Sequence, residues 1–228
     1  MHIPDGFVTA PVSAAAGLVA IAGIGLALRG ATKELDERTA PMAGLVAVFI
    51  FAGQMLNFPV AAGTSGHLLG GALAAILIGP YTGALAVSIV LIVQALLFAD
   101  GGLTALGLNV INMAFVTVLA AWPTFRLLVR LLPRTRRVWV SAAFVAGLVS
   151  VPAAALAFTV EYAIGGTGTF SVGAVLTAML ATHVLIGVGE AAITALTIGA
   201  VLAVRPDLVL GVRDLLPRPV LRPRVLAP

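Results

Sequence analysis

The sequence predicts an all-α membrane protein with seven transmembrane helices, the N-terminus outside and the C-terminus in the cytoplasm. Three observations lead there. Of 228 residues, 61% are hydrophobic and only 10% are charged, whereas a soluble domain carries about 25% charged residues. Mean hydropathy is +1.13, and the apolar residues come in runs close to the ~20 needed to cross a bilayer. The 13 lysines and arginines fall into three clusters and nowhere else. These features argue against a soluble enzyme, a nucleic-acid binder and a disordered chain. The net charge of +4 reflects the placement of those clusters, so no nucleic-acid partner is expected. Cysteine is absent, which excludes disulfides, thiolate metal sites and cysteine nucleophiles.

The clusters orient the chain. Arg29, Lys33 and Arg38 form the first. Arg126, Arg130, Arg134, Arg136 and Arg137 form the second, and Arg205, Arg213, Arg218, Arg222 and Arg224 the third. Basic loops stay cytoplasmic, so the other side carries Asp5, Asp100 and Glu161 and no basic residue. The apolar segments run 12–28, 42–58, 68–98, 104–125, 139–160 and 174–204. Six unbroken crossings would leave the second cluster outside. A break at Gly79-Pro80 restores the sign, because proline removes a backbone donor and disfavours helix at the residue before it. The half 68–79 would then be only about 18 Å long against a core of ~30 Å. A helix that short must border protein or a cavity rather than lipid.

The start does not read as a signal peptide. No lysine or arginine precedes Arg29, and Pro4, Asp5, Gly6 and Pro11 interrupt the stretch. Residues 1–204 read as one polytopic domain of the cytoplasmic membrane. Residues 205–228 read as a cytoplasmic Arg/Pro-rich tail that could rest on anionic membrane lipids or a partner.

Candidate chemistry centres on the three histidines, His2, His67 and His183. A free terminal amine, the amide nitrogen of residue 2 and the residue-2 imidazole can grip one metal in two fused chelate rings, provided the amide loses its proton. A second imidazole could fill the fourth corner of that plane. Four nitrogens in a square suit Ni(II) or Cu(II), and accept Co(II), better than Zn(II). The alternative for His2 is an interfacial histidine near a membrane end. His67 lies in Gly63-Thr64-Ser65-Gly66-His67-Leu68-Leu69-Gly70-Gly71, where Gly66 and Gly70 form a small-xxx-small pair. Such pairs pack helices, so His67 could be incidental to packing. Both histidines nonetheless fall on the outer side of a topology drawn without them.

The sequence resembles the CbiM/NikM family, the substrate-binding membrane subunits of energy-coupling-factor transporters for cobalt and nickel. The resemblance rests on Met1-His2-Ile3-Pro4-Asp5-Gly6-Phe7 and Gln54-Met55-Leu56-Asn57-Phe58-Pro59-Val60, and on the Thr64-Ser65-Gly66-His67 block. It continues in Asp100-Gly101-Gly102-Leu103-Thr104, in Asn109-Val110-Ile111-Asn112-Met113 and in His183-Val184-Leu185-Ile186-Gly187-Val188-Gly189-Glu190. It implies a seven-helix fold with the N-terminus tucked into the external face. It also implies a square-planar site for transported Ni(II) or Co(II), built from the Met1 amine, the His2 amide and imidazole, and the His67 imidazole. The partners it implies are a transmembrane coupling (T) subunit, cytoplasmic ATPase subunits and a small companion membrane protein. Pro4-Asp5 resembles the nickel branch more than the cobalt branch.

Around the site, Gln54 and Asn57, three apart, could orient the His67 loop, as could Ser65. Interhelical hydrogen bonding is the alternative for Gln54 and Asn57, and likewise for Asn109 and Asn112. His183 and Glu190 lie seven apart on one helical face; a packing contact is favoured for them over a metal role. No nucleotide site is expected: Gly25 and Gly30 have phosphate-loop spacing, but Ala31 stands where the lysine belongs. The chain is thus expected to be no enzyme and to hold no cofactor, with ATP hydrolysed by partners. Ala40/Gly44 and Ala43/Ala47 offer a face for the coupling protein or for packing within the subunit. The competing readings are a gradient-driven carrier or channel, which needs acidic residues along a path, and an intramembrane metalloenzyme, which needs an open metal position.

Overall fold

The computed structural model describes residues 1–37, 39–56, 58–61 and 64–216, with backbone alone at 58–61 and 64–66. The chain is a helical bundle. Its long helices are α1 (Ala10–Ala31), α2 (Thr39–Met55), α4 (Pro80–Leu97), α7 (Arg136–Gly165) and α8 (Val172–Val204). Between α4 and α7 runs one continuous helix of 26 residues. It comprises α5 (Leu106–Val110), a π-helical turn (Ile111–Val116) and α6 (Thr117–Leu131). Among the described residues, five helices are long and apolar enough to cross a membrane, and α2 is a shorter apolar helix. Their outer faces carry exposed leucines and isoleucines, among them Leu18, Ile21, Leu45, Leu119 and Leu196. These are the residues a lipid phase would solvate.

The sequence-expected break at Gly79-Pro80 is present. It separates α3 (Gly71–Ile78) from α4. Gly79 takes φ +96°, a left-handed conformation that ends α3 at little cost only for glycine. Glu34, in the α1–α2 connection, then accepts from the N–H groups of Tyr81 and Thr82, capping α4. A Cβ at position 79 would lie 2.5 Å from the Glu34 carboxyl carbon, so the cap also requires glycine. All eight residues of α3 are buried, as a helix too short to span must be. α3 sits close against α6: a Cβ at Gly71 would meet the Thr117 hydroxyl.

The second apolar segment stops short of its expected end at 58. α2 ends at Met55, and the chain turns into an antiparallel hairpin, β1 (Phe58–Ala61) and β2 (Thr64–Gly66). Pro59 pushes the residue before it toward the extended region, which stops the helix. The two short strands, with a single antiparallel bridge between Val8 and Gly166, are the departures from an all-α fold among the described residues.

The bundle has two polar ends. One gathers residues 1–9, 67–70, 99–104 and 165–171. At the other, a short 3₁₀ turn (Pro206–Leu208) and α9 (Leu210–Arg213) fold back onto the helix ends. There Arg126 makes a bidentate pair with Asp214 at 2.8 and 2.7 Å and donates to the Gly211 carbonyl, while Arg213 reaches Asp36 at 3.3 Å. The expected tail is thus docked and partly helical as far as 216; residues 217–228, with Arg218, Arg222 and Arg224, lie outside the described residues, as does Arg38.

Candidate metal centre

The first nine residues form no helix, and a series of specific bonds lays them into one end of the bundle. The Ile3 N–H donates to Asn109 Oδ1 at 2.7 Å, and the Asn109 amide donates back to the Ile3 carbonyl at 3.2 Å. The Gly102 N–H donates to that same carbonyl. Asp5 accepts from the hydroxyl and N–H of Thr104, which hold its carboxyl below the ordinary range. Phe7 packs against Phe158 and Tyr162, with ring centroids 5.5 and 5.6 Å away. Thr9 donates to the Gly165 carbonyl at the end of α7. The Gly101-Gly102 pair makes room for this segment. A Cβ at Gly102 would lie 2.3 Å from the Asp5 nitrogen, and Gly101 holds φ +91° beside the His2 ring.

The consequence is the position of Met1. Its amine lies 3.0 Å from His67 Nε2. His67 Nδ1 lies 2.9 Å from the Leu68 carbonyl. A carbonyl can only accept, so Nδ1 carries the proton and Nε2 offers its lone pair toward Met1. The His2 and His67 rings lie 5.0 Å apart, centroid to centroid. His2 Nε2 approaches Asp100 at 3.5 Å. With His2 neutral this contact is not an ion pair; it directs Nε2 at the carboxylate. The other ring nitrogen, Nδ1, is the one that can close a chelate ring with the His2 amide. The three expected ligands are therefore gathered at one place.

Burial sets their protonation. It lowers the amine of Met1 to about 6, against a partial offset from Asp100. Burial, and then the charge of that amine, push His2 down to about 4. The same two causes, with a smaller effect of His2, push His67 to about 3. All three nitrogens are thus unprotonated near neutral pH, which is the form that binds metal. Among the described residues, no three His, Cys, Asp or Glu side chains gather closely enough to hold a metal ion. A site here must recruit main-chain or terminal nitrogens. A cleft of about 310 Å³ reaches His2 between Pro4, Asp5, Asp100, Gly101 and Gly102.

The family model described as cobalt uptake substrate-specific transmembrane region, CbiM, matches residues 2–208. The chain belongs to the CbiM family. A protein of Haloquadratum walsbyi named for metal transport is 42% identical over 92% of this chain and 93% of its own length. A protein of Archaeoglobus fulgidus named as a fused nickel transport protein, NikMN, is 40% identical over 92% of this chain and 68% of its own length. A crystal structure of a transition metal transporter superposes with a TM-score of 0.81 at 29% identity, covering 94% of this chain and 98% of that one. The chain is accordingly a multi-pass membrane protein of a cobalt and nickel transport family, whose relatives are named as metal transport proteins.

The other expected CbiM residues separate into distinct roles. Gln54 donates to the Leu69 carbonyl at 2.8 Å and so holds the loop that follows His67. Ser65 lies in β2, where backbone alone is described, and Asn57 lies outside the described residues. His183 and Glu190 share a face of α8 but do different things. Glu190 accepts from the N–H groups of Leu69 at 2.7 Å and Gly70 at 2.9 Å, clamping the end of the His67 loop, just before α3, onto α8. Among the described residues, His183 bonds the Met179 carbonyl one turn back, at 2.8 Å. Asn112 donates to Glu161 at 2.6 Å, within the π turn.

Two contributors escaped the sequence reading. Asn109 was left undecided, yet it fastens the N-terminal segment. Asp100 was read only as an outer acid, yet it faces His2. The adjoining Gly101-Gly102 pair was the available signal, since paired glycines mark a close backbone approach.

Proposed function

We propose that this chain captures Ni(II) or Co(II) at the external face as the substrate-binding subunit of an ATP-driven energy-coupling-factor importer. The transported ion is held by the Met1 amine, the deprotonated His2 amide, the His2 imidazole and the His67 imidazole. The observation that carries the reading is the 3.0 Å approach of the Met1 amine to His67 Nε2, with the His2 ring beside them. No arrangement of side chains alone supplies an equivalent donor set among the described residues.

In this reading α1, α2, α3, α4, the continuous α5–α6 helix, α7 and α8 make seven passes of the cytoplasmic membrane, α3 being a buried short pass. The N-terminus and the His67 loop face outward; α9 and the basic clusters face the cytoplasm, consistent with their charge. ATP hydrolysis belongs to separate cytoplasmic subunits, reached through a transmembrane coupling subunit. Ala40 and Gly44 expose an uncrowded small-residue face on α2 where such a partner can approach, and a Cβ added at Gly44 meets nothing. The Archaeoglobus relative, matched over 68% of its own length, is named as a fused NikMN protein, which supports a small companion membrane protein among the partners.

The test is metal binding by the purified full chain with a free Met1 amine. Bound nickel should be yellow and diamagnetic, as a planar four-nitrogen d8 ion is, and His67→Ala should remove that signature. A paramagnetic octahedral nickel, or zinc outcompeting nickel, would refute the donor set.

A further inference from the structure

We propose that the basic end of the bundle carries a binding site for one anionic phospholipid, seated between α1, α4 and α6. An apolar groove of about 420 Å³ opens there, lined by Leu26 and Ala27 of α1, Tyr81 and Ala84 of α4, and Leu119 and Trp122 of α6. That volume is within the ordinary range for a ligand site.

Close contacts fix which way the groove points. α1 packs on the α5–α6 helix with Gly17 beside Gly107 and Gly23 beside Phe115, so the two run parallel. Further along, Gly30 lies against the Tyr81 ring. The groove walls therefore converge on the same basic end. On α1, Arg29 follows Leu26 by three residues, which keeps them on one face, and Lys33 lies in the turn that follows the helix end at Ala31. On α6, Arg126 and Arg130 follow Leu119 by seven and eleven residues and extend the stripe that lines the groove. Arg29, Lys33 and Arg130 are exposed and make no ion pair among the described residues. Arg126 lies 5.6 Å over the Trp122 ring.

The acids at this mouth are already engaged. Asp214 holds Arg126, and Glu34 accepts from the N–H groups of Tyr81 and Thr82. The arginines and Lys33 thus leave the mouth positive above an apolar slot, with Tyr81 and Trp122 at the level where aromatic residues meet headgroups. An anionic headgroup on an acyl chain matches both halves; basic pockets between helices on the cytoplasmic side recognise such lipids. A partner helix fits less well. The slot extends over about 10 Å, from the level of Gly23 to that of Gly30, against the ~30 Å a spanning helix would need to cover.

The test uses the full chain in detergent, given phosphatidylglycerol or phosphatidylcholine of identical acyl chains, with bound lipids counted by native mass spectrometry. The wild type should retain one phosphatidylglycerol with a preference of about tenfold over phosphatidylcholine. The double variant Arg29→Gln with Arg130→Gln should lose that preference and keep weak binding of both lipids. Leu26→Trp, at a position 63% exposed and outside the core, should fill the slot and lower retention of both. Equal retention of the two lipids by the wild type, or an unchanged preference in the double variant, would overturn the proposal. So would a photo-crosslinker at position 26 that, in cells, labels a membrane protein in place of lipid.

Discussion

Glu190→Gln removes one oxygen and one charge from the clamp on the His67 loop without changing its shape. In the native chain the two carboxylate oxygens accept separately from Leu69 and Gly70, at 2.7 and 2.9 Å, in a fully buried setting at the start of α3. A glutamine can accept only one of those bonds, and its amide group then faces an N–H that also donates. One charge-assisted bond, worth about 1.5–3 kcal/mol, is lost. The orphaned N–H adds about 1–3 kcal/mol for its unmet desolvation, and the favourable charge at the α3 N-terminus is gone. The destabilisation is therefore about 3–5 kcal/mol, shared between the global fold and the placement of His67. Because the clamp acts two and three residues after His67, metal affinity should fall by about 10–100-fold, the usual effect of losing a group that orients a ligand. Titration calorimetry with Ni(II) and thermal unfolding of apo and metal-loaded protein in detergent measure the two parts. Glu190→Gln with wild-type nickel affinity and wild-type apo stability would refute the clamp.

Four further outcomes are expected. A single glycine added before Met1 moves the free amine away from His67, so nickel affinity should fall by at least about 100-fold while unfolding of the apo protein changes little; an uncleaved N-terminal tag that leaves affinity intact contradicts the chelate. The amine and both histidines hold protons less tightly in the fold than their ordinary values of 8.0 and 6.5. The folded state thus binds fewer protons than the unfolded chain. Apo stability should be full above pH 8.0 and decline as pH falls from there through about 6 for the amine, and from 6.5 through about 4 and about 3 for the histidines; a melting temperature that is flat or rises on acidification contradicts the buried, neutral site. Since these nitrogens are already unprotonated, nickel binding at pH 7.5 should release about one proton, from the His2 amide, a stoichiometry read from calorimetry in buffers of different ionisation enthalpy. A cysteine placed at Tyr81 should react with impermeant reagents only from the cytoplasmic side, and labelling only from outside would destroy the proposed topology.

How far the sequence carried depends on the range of the physics involved. The break between α3 and α4 was legible because charge placement and a Gly-Pro pair act locally and agree. The gathering of Met1, His2 and His67 was legible because the residue chemistry and the family resemblance pointed to the same set. The strand pair Phe58–Ala61 and Thr64–Gly66 was not, since strands of four and three residues are too short to show a period. Nor were the separate duties of the asparagines. Asn109 and Asn112 are three apart, which suggests one helical face, yet the π turn starting at Ile111 rewinds the helix between them. Asn109 consequently reaches Ile3 and Asn112 reaches Glu161. The roles of His183 and Glu190 were hidden for a different reason. Their shared face was visible, but Glu190 meets its partners 121 and 120 residues away in the chain, and only the fold supplies them.

α3 ties these parts into one device. Its first residues follow directly from the loop that carries His67, and Glu190 and Gln54 hold that loop in place. Its last residues meet the opposite end of the molecule. A Cβ at Gly211 of α9 would sit 3.1 Å from the Ile76 carbonyl, and α9 is itself held by Arg126. Gly79 and Glu34 fix the turn into α4. A helix of eight buried residues, about 12 Å long, offers little room to bend. Under the proposed function, a cytoplasmic partner that displaces α9 or the Glu34 connection acts on a rigid element whose far end is the metal loop. A span of ordinary length could take up such a displacement by tilting in lipid; a short helix enclosed by protein has no lipid to tilt in, so the displacement reaches His67.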